Sequence, residues 1–390
     1  MPLRFLTAGE SHGPALVAIL EGLPAGLPVD VEAVNRELAR RQRGLGAGPR
    51  MKIEEDRAVL LSGVLEGRTT GAPIALQIEN RDHAKWRGRA VAPMTIPRPG
   101  HVDLAAAIKY GYRDLRPGLE RASARETAAR VAVGALCKQF LKAFGITVGS
   151  YVVQIGPVRA ALSEDLPYEA RFERAEADPM RCPDPEASAR MRAAVETAMQ
   201  ERDTLGGVIE GVALGVPPGL GSHVHWDRRL SARLMMALGS IPAVKGVEIG
   251  EGFALAARRG TEAQDPIFRE GDRLDRRTNR AGGIEGGISN GAPIVTRVAI
   301  KPIATTLTPQ PSVDLSTGQP TETRYERSDF CPVPRACPIV EAMMAFVLAD
   351  ALLEKLGGDT LEECQARFEA LRQARLGDLP IDGSPHVFWP

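Results

Sequence analysis

The sequence predicts an α+β fold over residues 1–390, with antiparallel sheets covered by helices in a single large domain. Three observations predict it. Strand-like segments follow one another in pairs more often than they alternate with helices, which is the pattern of hairpins and not of parallel βαβ crossovers. Other segments show helical periodicity with recognisable start and stop residues. No Gly/Ser-rich or Pro-rich linker divides the chain, although its length would allow two or three domains.

Strands are expected at Ala15–Leu20, Ala58–Leu65, Ile74–Ile78, Val148–Ile155, Gly207–Leu214 and Ile294–Ile300, where residues alternate or run apolar between Gly and Pro turns. A first helix is expected to start at Asp30 as N-cap, carry Val31, Val34 and Leu38 on one face, and stop near Gly44. Val102–Tyr110 reads as a short helix. Ser123-Ala-Arg-Glu126 has the pattern of a capping box, opening a helix whose apolar face is Ala128, Val131, Ala132, Ala135, Leu136 and Phe140 and which closes at Gly145. A long helix is expected after Pro338, from Ile339 to Leu356, stopped by Gly357-Gly358, and Thr360-Leu-Glu-Glu363 caps another. The stretch from about 160 to 203 is charged, rich in Ala and Glu and poor in β-branched residues, which predicts a helical excursion on the surface.

Forty-nine basic residues balance forty-nine acidic ones, and 44% of residues are hydrophobic. That argues for a globular chain and against a nucleic-acid partner, which would call for a basic surplus. Uninterrupted apolar runs fall short of the roughly 18 residues of a membrane span, and the N-terminus lacks the layout of a signal peptide. The expectation is a cytoplasmic protein without a membrane partner. The five Cys are widely spaced and form no CxxC pair, so neither a disulfide framework nor a metal site is expected.

The basic residues are unevenly made up, with only eight Lys among the forty-nine. For most of the Arg this reflects genome composition or adaptation to heat. Arg groups lacking nearby acids also read as sites for anions, because a guanidinium grips phosphate or carboxylate with two parallel hydrogen bonds. Arg40, Arg41, Arg43, Arg50 and Lys52 form one such group, although Arg40 and Arg41 also suit a helix C-terminus. Lys85, Arg87, Arg89 and Arg98 form a second, leading into the rigid Pro97-Arg-Pro-Gly-His101 segment. A third, Arg269 to Arg280, has Asp272 and Asp275 interspersed and runs into Gly282-Gly-Ile-Glu-Gly-Gly-Ile-Ser-Asn-Gly291, whose glycines would let the backbone approach an anion.

Of the six His, His12 in Gly9-Glu-Ser-His-Gly13 and His101 in Arg-Pro-Gly-His are the best presented, each open to a structural or a catalytic reading. His223 and His225 lack the further ligands a metal site needs. Asp329 reads as a turn residue paired with Arg327 or as an acid for chemistry.

Taken together, Gly9-Glu-Ser-His-Gly13, Arg40-Arg-Gln, Pro97-Arg-Pro-Gly-His101, Arg121-Ala-Ser-Ala-Arg-Glu-Thr127, Gly282-Gly-Ile-Glu-Gly-Gly287, Lys301-Pro-Ile-Ala-Thr305 and Arg327-Ser-Asp329 resemble the chorismate synthase family, in order from about residue 3 to about residue 356. The resemblance implies a β-α-β sandwich assembled as a homotetramer. It implies a lyase of the shikimate pathway, which turns the phosphorylated small molecule 5-enolpyruvylshikimate 3-phosphate into chorismate and phosphate by anti-1,4-elimination, with FMN required in its reduced form. It assigns His12 as general acid for the departing phosphate, His101 as proton donor to reduced flavin, and Asp329 a place near flavin N5. FMN contacts would fall on Ser123, Ala124, Arg125, Pro242, Ala243, Gly286, Lys301, Pro302, Ile303, Ala304, Thr305 and Arg327, and substrate anions on Arg41, Arg50, Arg98 and Arg125.

Two departures stand out. Ala47 replaces an Arg common in relatives, which puts a nicotinamide-nucleotide (NADP) contact there in doubt, and Pro242 replaces an Asn or Gln, which removes a side-chain hydrogen bond. With no dinucleotide fingerprint, an outside reductant for the flavin is expected. A flavin enzyme performing true oxidoreduction on a phosphorylated carboxylate, or a non-enzymatic phosphometabolite-binding module, would share the Arg groups.

Overall fold

The computed structural model describes residues 2–45, 55–324 and 329–389. Two antiparallel sheets enclose a layer of helices. The first sheet has the order Arg4–Ala8, Ala15–Glu21, Ile74–Glu79, Ala58–Leu60. The second runs Val244–Ile249, Ile294–Ile300, Gly207–Leu214, Thr147–Ile155, Val158–Arg159. Period-two alternation explains the first sheet: Leu16, Ala18, Leu20, Ile74, Leu76 and Ile78 all point inward and are buried, while Leu6, Ile19 and Val59 face outward.

Between the sheets lie three helices, Val31–Gln42, Thr127–Lys142 and Val333–Leu356. Thr127–Lys142 packs on the first sheet and Val333–Leu356 on the second, and each packs along the other. Their closest approach is at Gly134, where an added Cβ would lie 2.3 Å from the Ala342 Cβ. Gly134→Ala should therefore destabilise the protein by about 1–3 kcal/mol through overpacking, even though Ala is the better helix former by about 1 kcal/mol. Urea unfolding midpoints check this, and an unchanged or raised midpoint would show that the two helices can separate at no cost.

Several expectations are corrected. The long helix begins at Val333, not after Pro338, with Pro334 in its first turn and Pro338 inside it. Proline suits a helix start, but Pro338 costs one hydrogen bond early in a helix whose neighbouring residues, Cys337, Ile339 and Val340 among them, are buried on all sides. That helix also has the length and mean hydropathy of a membrane span, yet 89% of its most apolar window is buried inside the protein.

The strand expected over Ala58–Leu65 stops at Leu60, because Gly63 turns the chain at φ +80, and Val64–Leu65 pairs instead with Arg68–Thr69. Residues 160–203 hold two helices, Tyr168–Ala177 and Pro185–Gln200, with Met191 and Val195 fully buried against the second sheet's end. The expected capping box at Ser123 does not form. Ser123 caps a single turn, Ala124–Glu126, by accepting from Arg125 N at 3.3 Å, and the Glu126 carboxylate accepts from Thr7 Oγ1 (2.9 Å) and Arg130 Nε (3.0 Å) instead. The box at Thr360 and Glu363 forms as expected.

Candidate functional site

The loop Gly9–Gly13 joins the first two strands, and Asn80 at the end of the third fixes it by donating to the carbonyls of Glu10 (3.1 Å) and Gly13 (2.9 Å). His12 is held at three points. Its Nδ1 is 2.6 Å from Glu120 Oε1, its backbone N–H donates to Glu120 Oε2 at 2.7 Å, and its ring lies on Trp86 with centroids 4.6 Å apart. Asn80 Oδ1 also accepts from Arg125 Nε at 2.7 Å.

Arg125 and Arg41 are both buried and share Asp56, which itself is buried. Arg125 Nη1 donates to Asp56 Oδ1, and Arg41 Nη1 lies 3.4 Å from Asp56 Oδ2. The other Arg41 nitrogens donate to Thr127 Oγ1 (2.9 Å) and the Ala124 carbonyl (2.8 Å). Arg335 then donates to the Arg41 carbonyl at 3.3 Å and pairs with Asp329. One run of hydrogen bonds thus joins the loop that carries His12 to Arg125, Arg41 and Asp329, which the sequence scatters over more than three hundred positions.

Burial pulls the Arg41 guanidinium down to about 10, and the nearby charges of Arg335 and Arg125 push the same way against Asp56 and Asp329.

A second group forms around Asp103, which is completely buried. It accepts from Arg98 Nε (2.8 Å), Arg98 Nη2 (3.0 Å) and the Arg98 backbone (3.1 Å), and His101 Nδ1 lies 2.5 Å away. Although burial opposes ionisation, the His101 and Arg98 hydrogen bonds hold the Asp103 carboxyl far below its usual range. Arg98 Nη1 donates to Thr305 Oγ1 at 3.1 Å, and Lys301 Nζ donates to the Gly100 carbonyl at 2.7 Å. Lys301 N in turn donates to the carbonyl of Ala243 (3.0 Å), a non-glycine residue at φ +69. The two groups meet where Thr204 Oγ1 donates to the Ile303 carbonyl (2.9 Å) and Leu205 N to the Phe330 carbonyl (2.9 Å).

Of the residues singled out in the sequence, the structure therefore brings together His12, Arg41, Arg125 and Asp329, and separately His101, Arg98, Lys301, Thr305 and Ala243. Arg50, Ala47, Lys52 and Arg327 lie outside the described residues. Among the described residues Gly286 joins neither group. It and Gly287 form the two-residue turn of the Ile284–Ser289 hairpin, both at positive φ, and nothing lies within 4 Å of a Cβ added at Gly286. The glycine-rich run is thus accounted for by a tight turn and by backbone contact, a Cβ at Gly282 falling 2.3 Å from Gly250 N.

Ser123, extended at φ −59 and ψ 141, ends the helix Arg116–Ala122 and caps the turn Ala124–Glu126, which leads directly into Thr127–Lys142, so Ser123–Arg125 do stand at a helix head. His223 and His225 are exposed in a loop. In the third Arg group the Arg276 guanidinium pairs with Glu285 (2.6 Å) while its backbone N–H donates to Asp275 Oδ1 (2.8 Å), and Arg277 lies over Phe268 (4.0 Å).

Sequence reasoning missed Glu120, Asp103, Asp56, Asn80, Trp86 and Arg335. The His-x-Asp spacing of His101 and Asp103 was the one local signal that could have found a partner.

Fold and site together define a two-sheet α+β protein with two carboxylate-anchored histidines and a set of buried arginines. The chorismate synthase family model matches residues 3–353. Chorismate synthase from Symbiobacterium thermophilum is 55% identical over 381 residues, covering 94% of this chain and 97% of its own length. That from Aquifex aeolicus is 53% identical over 384 residues, covering 94% and 96%. A crystal structure of chorismate synthase aligns with a TM-score of 0.78 at 47% identity, covering 95% of this chain and 97% of that one. The chain belongs to the chorismate synthase family, lyases of the shikimate pathway that serve aromatic amino-acid biosynthesis.

Proposed function

We propose that this chain converts 5-enolpyruvylshikimate 3-phosphate to chorismate and phosphate by anti-1,4-elimination, with reduced FMN bound and no net redox change. In this reading residues 1–390 act as one domain of a cytoplasmic homotetramer. The observation that supports it is the cluster of buried guanidiniums at Arg41, Arg125 and Arg335, in which burial and the two neighbouring arginines all lower Arg41. Guanidiniums that crowd one another away from water are relieved by an incoming anion, and the substrate brings a phosphate and two carboxylates. Arg98, already saturated by Asp103, is better suited to fixing His101 than to gripping an anion by itself.

The residues also fit a flavin phosphate. Burial, with the nearby charge of Lys245, lowers the Lys301 ammonium, and neither lysine makes a salt bridge among the described residues. Lys301, Thr305 and the strained backbone at Ala243 would hold the cofactor, whose chemistry when bound is to lend electron density to the substrate and take up the C6 proton. His12 protonates the departing phosphate as the C3–O bond breaks. His101, anchored through Nδ1, keeps the site supplied with the proton that the reduced cofactor needs, and Asp329, oriented by Arg335, would stand beside the cofactor and relay onward the proton it has taken from C6.

The homotetramer has apolar surface available to it. Leu6 (63%), Ile19 (41%), Val59 (56%) and Leu61 (58%) remain exposed on the outer face of the first sheet.

Anaerobic incubation with reduced FMN and 5-enolpyruvylshikimate 3-phosphate should give chorismate and phosphate in equal amounts, with the reduced flavin recovered. Stoichiometric flavin oxidation would instead establish an oxidoreductase, and absence of both products would end the lyase reading.

A further inference from the structure

We infer that Glu120 is the positioning residue of His12, its carboxylate holding both the Nδ1 side of the imidazole and the backbone N–H so that the proton delivered to the leaving phosphate is the one on Nε2. The inference rests on His12 being the general acid.

The geometry is more specific than a surface ion pair. One carboxylate engages one residue twice, at Nδ1 (2.6 Å) and at the backbone nitrogen (2.7 Å), so both the ring torsion and the backbone of the Gly9–Gly13 loop are referred to a single group. The Glu120 carbonyl also accepts from Ser11 N at 3.1 Å, locking the helix Arg116–Ala122 to the loop at a third point. Trp86 closes one face of the ring. Exposure of the two side chains is only 23% for His12 and 12% for Glu120, so the carboxylate acts through little intervening water.

A carboxylate on Nδ1 does two things for a histidine acid. It selects the tautomer that leaves Nε2 for proton exchange, and it favours the imidazolium, which must persist at working pH to donate at all. The other charged or titratable groups around the ring act at longer range or on its backbone. Arg116 sits over the Trp86 ring (5.9 Å), Asp82 accepts from Trp86 Nε1 (3.3 Å) and from Lys85 (3.0 Å), and His83 Nδ1 meets the His12 carbonyl (2.9 Å). Glu10 lies beside Gly13 in the same loop. Among these described charged groups, Glu120 is the one whose contact is with the imidazole nitrogen itself.

The test uses the holoenzyme with reduced FMN, comparing Glu120→Gln and Glu120→Asp with the parent over pH, together with titration of the His12 imidazole by NMR in the protein without substrate. Removing the negative charge lowers the histidine's affinity for its proton. A general acid works below its own pKa, so the alkaline limb of the kcat profile should move to lower pH by about one unit in Glu120→Gln. The NMR midpoint should fall in parallel, KM for the substrate should change less than threefold, and Glu120→Asp should keep the parent limb at a reduced rate.

A Glu120→Gln enzyme with a lower rate but the parent pH profile and the parent His12 titration would overturn the inference, because a merely structural prop predicts that result. The NMR titration reads Glu120 independently of turnover. Loss of the lyase reading itself would appear differently, as a parent enzyme that forms no chorismate.

Discussion

His12→Ala should lower kcat by about 10²–10⁴-fold, the usual span for losing one general acid, while the substrate still binds. Several observations combine to support an effect of that size. The ring is held by Glu120, Trp86 and the Asn80-anchored loop, an investment in orientation that a purely structural histidine at a loop surface does not require. The arginines that would bind the anions belong to other elements and keep their own partners Asp56 and Thr127 when His12 is removed, so KM should move little.

A kcat loss with KM unchanged is the signature of an interaction made in the transition state alone. The measurement is single-turnover phosphate release under anaerobic conditions with reduced FMN, and a rate within threefold of the parent would show that another group protonates the phosphate.

The same site shows what a sequence can and cannot reveal. Motif residues were legible because their chemistry is local: His12 between glycines, His101 behind a rigid Pro-Arg-Pro-Gly turn, and Arg clusters without adjacent acids. Their neutralisation was not legible. Local acid poverty around Arg41 and Arg98 predicted open positive charge, whereas Asp56 and Asp103 are delivered to them by folding, Asp56 from an ordinary acidic stretch and Asp103 from the first turn of a helix. The positive charge of Arg41, Arg125 and Arg98 is therefore partly neutralised inside the fold, where the sequence implies open basic pockets.

Fold elements divide in the same way. Ala15–Glu21 and Ile74–Glu79 advertise themselves by alternation, with Leu16, Leu20, Leu76 and Ile78 inward. Arg4–Ala8 has only Phe5 and Thr7 facing the core side, as an edge strand can, and Val244–Ile249 is interrupted by a bulge between Val244 and Gly246, so neither carries a clean period. Leu230–Gly239 is short and apolar, and its periodicity does not separate helix from buried strand.

Glu341→Ala should cost about 3–5 kcal/mol of stability at neutral pH, the size of effect seen when one member of a buried ionic network is removed and its partners stay behind. Glu341 is 1% exposed in the middle of the long helix. It accepts from Arg40 at 2.7 and 3.0 Å, from Ser150 Oγ at 2.7 Å and from Lys138 Nζ, so it ties the first helix, the core helix and the second sheet to one point. Glu37 and Glu176 share the same cations, with Arg181 completing the set, and the network of Glu341, Glu37 and Glu176 against Arg40, Lys138 and Arg181 is balanced. Removing Glu341 leaves two half-buried cations short of a carboxylate.

The pH dependence gives a second, independent check. Burial alone would raise the Glu341 carboxyl, but Arg40 and Lys138 outweigh it and hold it well below its usual value. A carboxyl depressed on folding stabilises the native state fully above its unfolded pKa of about 4.3, and that contribution is lost as pH falls through the lower folded value. The gap between parent and Glu341→Ala should accordingly be widest at pH 7 and narrow progressively below about pH 4.5. Urea midpoints across that range measure it, and a gap that is constant with pH, or smaller than about 1 kcal/mol at pH 7, would mean that Glu341 is held by packing and not by its charge.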